Sequence, residues 1–136
     1  LAKNGMIKAE SINGIGEKFG LYCRSQVIII SADTFGKAEV IKEELEVSLK
    51  IIDTRSRESE QKAKIIEDLG QESVIAIGNG NNDREMLKKS RIGIVIVGPE
   101  GAAVSTIMNA TVAVYSITDA LQMLINPQIL KATLRN

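Results

Sequence analysis

Histidine and tryptophan are missing from this chain, and cysteine occurs once, at Cys23. Without histidine there can be no His-based catalytic triad, and most zinc sites lose their usual ligands. A single cysteine cannot close an internal disulfide. With no imidazole to activate it, Cys23 reads as a small filler on a helix face rather than a nucleophile. Aromatic residues are only 3% of the chain, too few for the stacking platforms that hold single-stranded nucleic acid. An excess of one charge is also lacking. Seventeen basic residues balance seventeen acidic ones, so no global field draws nucleic acid or an anionic membrane. No apolar run approaches the roughly 18 to 20 residues of a membrane span. No signal peptide is visible, and a cytoplasmic protein is expected.

What is present fits a single α/β domain over residues 1–136. A chain of this length buries roughly 68% of its unfolded surface, enough for one sizeable core. Val27–Ile30, Val47–Ile52, Val74–Ile77, Ile92–Val97 and Thr111–Val114 are apolar and rich in β-branched residues. Continuous rather than alternating apolar runs predict strands buried on both faces, as in a parallel sheet. Helical spacing fills the intervals. Ile12, Ile15, Phe19 and Tyr22 form one stripe. Residues 36–46 carry Ala38, Ile41 and Leu45, and residues 59–69 carry Ile65, Ile66 and Leu69. Asn82 or Asp83 can cap a short helix through Met86 and Leu87. Residues 101–108 read as a small apolar helix. Ser116, with Asp119 three residues on, resembles a capping box for a helix that ends at Asn126-Pro127. A last short helix follows. Alternating strands and helices with short connections predict a three-layer α/β sandwich with a mainly parallel sheet. Repeats, linkers and low-complexity tracts are absent from the sequence.

In such sheets, ligands collect beyond the carboxyl ends of the strands. Three clusters fall there: Ser31-Ala32-Asp33-Thr34, Gly78-Asn79-Gly80-Asn81-Asn82-Asp83 and Gly98-Pro99-Glu100-Gly101. The second admits several readings. The side-chain oxygens of Asn79 and Asp83 suit a hard cation such as Mg2+, and through it a phosphate. Gly78 and Gly80 have the first two spacings of a dinucleotide-binding turn, but Asp83 then sets a carboxylate beside the pyrophosphate, which is electrostatically wrong. The same residues also serve as an ordinary strand-to-helix turn whose Asn and Asp cap. Asp33 and Ser31 have similar local uses, as cap and backbone partner. Lys62 lies in a helix full of charge, where a solvated face is the plain expectation.

The order of four segments adds a resemblance. Ser31-Ala32-Asp33-Thr34-Phe35-Gly36, then Lys62 ahead of Ile65-Ile66-Glu67-Asp68-Leu69-Gly70, then the Gly78–Asp83 turn, then Gly98-Pro99-Glu100-Gly101-Ala102 closely resemble the haloacid dehalogenase-like superfamily. Within it the chain is similar to small archaeal phosphatases that are akin to the phosphorylation domain of P-type cation pumps. The resemblance covers essentially the whole chain. It implies a Rossmann-like core without a cap domain and a Mg2+-dependent phosphomonoester hydrolase that works through an aspartyl-phosphate. Ser31 then matches the hydroxyl that binds the transferring phosphoryl group, with Ala32 beside it. Lys62 matches the lysine that neutralises charge between nucleophile and phosphate. Asp83 matches the carboxylate that holds Mg2+, and Asn82 the asparagine that supports the phosphate loop. A phosphorylated small molecule or a phosphoprotein is the implied partner.

The sequence departs from the superfamily at two places. Asn79 stands where many members carry aspartate, so less charge is offered to a metal. The nucleophile motif, of the type Asp-x-x-Gly-Thr-Leu, does not occur. Leu1-Ala2 reads as its tail, with the first strand and its aspartate expected upstream and this chain alone inactive. That strand is central in the superfamily's sheet. Without it, unpaired backbone groups would each cost about 1 to 3 kcal/mol of a total of about 5 to 15. The expectation is that a homo-oligomer or a strand-completing peptide or chain restores the sheet. Two rival readings go with these departures: a non-catalytic phosphate-binding or regulatory module, and an assembly protein whose interface is the incomplete sheet.

Overall fold

The computed structural model describes residues 2–3, 6–7, 27–32, 37–45 and 47–135. The helix expected at Ile12–Tyr22, together with Cys23, Asp33 and Thr34, lies outside them. The chain divides into two compact units, one of Leu1–Ile52 with Leu121–Asn136 and one of Asp53–Ala120.

In the first unit, β1 (Ala2–Lys3) and β2 (Met6–Ile7) pair antiparallel. They are too short to leave a periodic signal, and the sequence reading did not find them. The parallel pair β3 (Ile28–Ser31) and β4 (Ser48–Ile51) runs in register from Ile28–Ser48 to Ser31–Ile51. Helix α1 (Lys37–Leu45) connects them, as the stripe at 36–46 predicts. These strands are less buried than continuous apolar runs suggest. All of β3 is half-buried and Ile51 is exposed, in keeping with a sheet of two strands.

The second unit holds the three-stranded parallel sheet β5 (Ile75–Gly78), β6 (Ile92–Ile96) and β7 (Val112–Val114), in that order. Helix α2 (Glu58–Leu69) precedes it. A 3-10 turn at Asn81–Asp83 and helix α3 (Arg84–Lys89) join β5 to β6, and helix α4 (Val104–Met108) joins β6 to β7. The core lies around β6, where Gly93, Ile94 and Val95 are buried in succession. This is the double-sided burial that the run at 92–97 predicts. Gly93 is there for space. A Cβ on it would stand 2.4 Å from the Leu87 carbonyl oxygen, so the end of α3 rests directly on the strand.

Helix α5 (Ile117–Ile125) begins as expected, with the Asp119 amide donating to Ser116 Oγ at 3.1 Å. Helix α6 (Pro127–Leu134) takes Pro127 in its first turn, where the missing N–H costs nothing. Two details differ from the sequence reading. Helix α4 starts at Val104, because Gly98–Gly101 forms a tight turn with Gly101 at φ 79°. On α2 the buried face is Lys62, Ala63 and Ile66, while Leu69 is exposed.

Candidate active site

The end of β5 delivers Gly78 into the turn Asn79–Asp83, and Asp83 then opens α3. Asp83 stands at the cap position of α3 but makes no side-chain cap bond to it. Its carboxylate turns back into the loop. Oδ2 accepts from the backbone N–H groups of Asn79 at 2.9 Å and Gly80 at 3.0 Å. Oδ1 accepts from Lys62 Nζ at 2.6 Å. Both side chains of this pair are about nine-tenths buried. Lys62, expected on composition to face solvent, is therefore a buried counter-charge. Helix α2 turns it inward on the same buried face as Ala63 and Ile66.

The glycines of the turn serve this arrangement by their size. Both positive-φ glycines among the described residues lie elsewhere, at Gly70 and Gly101. A Cβ on Gly78 would meet the Asp83 carboxylate at 2.6 Å, and one on Gly80 would meet Asn82 Oδ1 at 2.7 Å. The Thr106 hydroxyl, fully buried on α4, donates to the Gly80 carbonyl at 3.0 Å, and Ser105 Oγ donates to Asn81 Oδ1 at 2.9 Å. Asn79 Nδ2 donates to Glu100 Oε1 at 3.3 Å, tying the Gly98–Gly101 turn to the loop. Asn82 Nδ2 donates to Glu58 Oε2 at 2.6 Å. Glu58 and Thr106 are not among the residues that the sequence singles out, and Glu100 is there only as a member of the third cluster. For Glu58 a signal existed, since it lies four residues before Lys62 and so shares its helix face.

Of the residues singled out from sequence, Lys62, Asn79, Asn82 and Asp83 thus meet in the second unit. Ser31 ends β3 in the first unit and Ala32 follows it, both half-buried. The Ser31 carbonyl accepts from the Ile52 amide at 3.0 Å.

Several solved structures share this architecture. The catalytic domain of a CPx-ATPase, CopB-B, matches with a TM-score of 0.62 at 22% identity over 88% of this chain, which spans only 45% of that one. The 3-deoxy-D-manno-octulosonate 8-phosphate phosphatase of Moraxella catarrhalis, in complex with magnesium, phosphate and its sugar acid, matches with 0.63 at 12% identity over 99% of this chain and 84% of that one. A Streptomyces avermitilis protein described as a HAD-family hydrolase matches with 0.59 at 16% identity, over 99% and 83%. The fold is haloacid dehalogenase-like. Among curated proteins, an uncharacterised protein of Methanocaldococcus jannaschii is 47% identical over 79 residues, 55% of this chain and 85% of the relative, and the chain belongs to its family. No family model matches the chain. In the haloacid dehalogenase-like fold described here, the mixture of helices and parallel strands is the α/β Rossmann-like class expected from sequence.

Proposed function

We propose that this protein is a Mg2+-dependent phosphomonoester hydrolase that acts through an aspartyl-phosphate. The observation that carries the reading is the buried Lys62–Asp83 pair at the carboxyl end of β5. A buried ion pair is rarely a net gain in stability, because desolvation offsets most of the attraction. Its presence at the end of a parallel strand, where ligands collect, favours a chemical task.

The oxygen set fits the metal. A carboxylate offers about four lone-pair positions. Lys62, Asn79 N–H and Gly80 N–H use three of those on Asp83. The amide oxygen of Asn79 is a second hard donor, its nitrogen being held by Glu100. Mg2+ is commonly bound through one or two carboxylates and keeps several waters. No cluster of three His, Cys, Asp or Glu occurs among the described residues, so Asp83 and Asn79 would hold the ion with water completing its shell. The ion would supply charge neutralisation between two anions that must approach each other.

In this reading Lys62 neutralises the transferring phosphoryl group, Ser31 Oγ and the Ala32 backbone bind its oxygens, and Asn82 braces the loop. In that chemistry an aspartate carboxylate oxygen bonds to phosphorus as the ester P–O bond breaks. The departing alkoxide takes a proton from solvent and leaves as the alcohol. Water then attacks the acyl phosphate at phosphorus, its P–O bond to the carboxylate breaks, and phosphate is released with water's proton returned to solvent. The substrate class is a phosphorylated small molecule or a phosphoprotein. One observation favours the non-catalytic rival, namely Asn79, which brings less charge to the metal than aspartate would.

Turnover of p-nitrophenyl phosphate by the full-length protein tests the reading. Activity is expected to need Mg2+ and to fall on the order of 100-fold in Asp83→Ala. Mg2+ and phosphate binding without turnover would establish the non-catalytic module instead. Turnover unchanged in Asp83→Ala would remove this site from the chemistry.

A further inference from the structure

Lys62 is one of two charged side chains that α2 extends to the loop. Glu58 precedes it by one helical turn, and residues four apart project from one face. The two contacts are parallel. Glu58 Oε2 accepts from Asn82 Nδ2, and Lys62 Nζ donates to Asp83 Oδ1, each at 2.6 Å. Two adjacent loop residues are thus held by two helix residues a turn apart. The Glu58 contact is shorter than the usual N–H···O distance of about 2.9 Å, as an ionised acceptor favours.

An asparagine amide has two unlike ends, a donating nitrogen and an accepting oxygen. In Asn82 the nitrogen faces Glu58, and the oxygen packs over Gly80, 2.7 Å from where a Cβ there would stand. Turning the amide over would set its oxygen against the carboxylate, two acceptors with no proton between them. Glu58 therefore dictates which end of Asn82 faces Gly80. The Gly80 N–H in turn donates to Asp83, so the amide's orientation bears on the shape of the turn around that carboxylate.

We propose that Glu58 is a positioning residue of this site, fixing the Asn82 amide and through it the turn that presents Asp83. Its catalytic consequence rests on the hydrolase reading; the contact itself does not. Glu58 also lies in the first turn of α2, where any acidic residue gains from the helix dipole. The conservative variant separates the two roles. Glu58→Gln keeps an acceptor oxygen but loses the charge, whereas Glu58→Ala loses both.

The test uses the full-length protein, 15N-labelled, as wild type, Glu58→Gln and Glu58→Ala. The Asn82 side-chain NH2 signals should shift in Glu58→Ala and stay near their wild-type positions in Glu58→Gln. With p-nitrophenyl phosphate and Mg2+, Glu58→Ala should lower kcat about tenfold with KM little changed, and Glu58→Gln should restore most of the loss. Asn82 signals unmoved in Glu58→Ala would overturn the proposal, as would equal losses in both variants, which would assign the effect to the helix dipole. A wild type without turnover would overturn the hydrolase reading alone. Mg2+ titration of the Asn79 and Gly80 amide signals then decides for Glu58: weaker binding in Glu58→Ala than in Glu58→Gln supports it, and identical binding or none overturns it.

Discussion

A methyl group at position 78 would fall 2.6 Å from the Asp83 carboxylate. Gly78→Ala must therefore push that carboxylate off Lys62 or off the two loop N–H groups. Loss of activity comparable to that of Asp83→Ala is expected, measured by the same p-nitrophenyl phosphate assay. Lys62→Met leaves Asp83 buried without its counter-charge and should cost about 3 to 5 kcal/mol in urea unfolding. Adding Asp83→Asn to that variant removes the orphaned charge while keeping an acceptor for Asn79 and Gly80. The double variant should therefore be more stable than Lys62→Met alone. At this scale the sequence revealed residue types better than their surroundings. Lys62 sits among charged neighbours, and nothing within α2 says that its side chain is buried. That depends on Asp83, 21 positions later. Likewise, the glycines at 78 and 80 signal a turn, but the reason for them is a carboxylate and an amide packed over their Cα atoms.

Helix α3 and strand β6 meet where Gly93 lets the Leu87 backbone approach. Backbone cannot rotate away as a side chain can, so Gly93→Ala should destabilise by about 1 to 3 kcal/mol, seen as a lower urea midpoint. Helices α2 and α3 are also linked at their surface by Lys89 and Glu67. The hydrogen bond from Lys89, with its charge, holds the Glu67 carboxyl below the usual carboxylate range. A depressed carboxyl favours the folded state above its unfolded value, and the contribution fades as pH falls through the folded one. NMR titration should therefore find a higher Glu67 pKa in Lys89→Ala, with a small effect on stability because Glu67 is exposed and Lys89 only half-buried. Elements proved legible wherever a continuous apolar run met a helical stripe. The strands at 92–96 and 112–114 lie inside the expected windows, and the one at 75–78 runs a single residue past its window, into Gly78. The hairpin of β1 and β2 was not legible, since two-residue strands carry too little pattern to separate them from loop. The late start of α4 reflects a turn whose hydrogen bond, Gly101 to Gly98, overrides the helical propensity of small apolar residues.

Over the whole molecule, charge balance bears on how a phosphate would arrive. With seventeen basic and seventeen acidic residues there is no long-range field. In the proposed hydrolase, attraction would come from Lys62 and a bound Mg2+ at close range. Between 50 and 200 mM salt, kcat/KM is expected to change by less than the roughly tenfold that marks electrostatic steering. No helix among the described residues is long and apolar enough to cross a membrane. The fold class was legible because alternating runs and stripes are summed over many residues. The site was legible only in part, because Asp83, Lys62 and Glu58 meet through packing that no local pattern encodes. The bonds at Asp83 also carry a consequence for the timing of exchange with solvent. Asn79 is exposed, yet its amide proton and that of Gly80 point into a buried carboxylate. In a deuterium-exchange map of the whole chain, these two amides should stand out as slow positions within an otherwise fast loop. Asp83→Ala should release them to the rate of their neighbours.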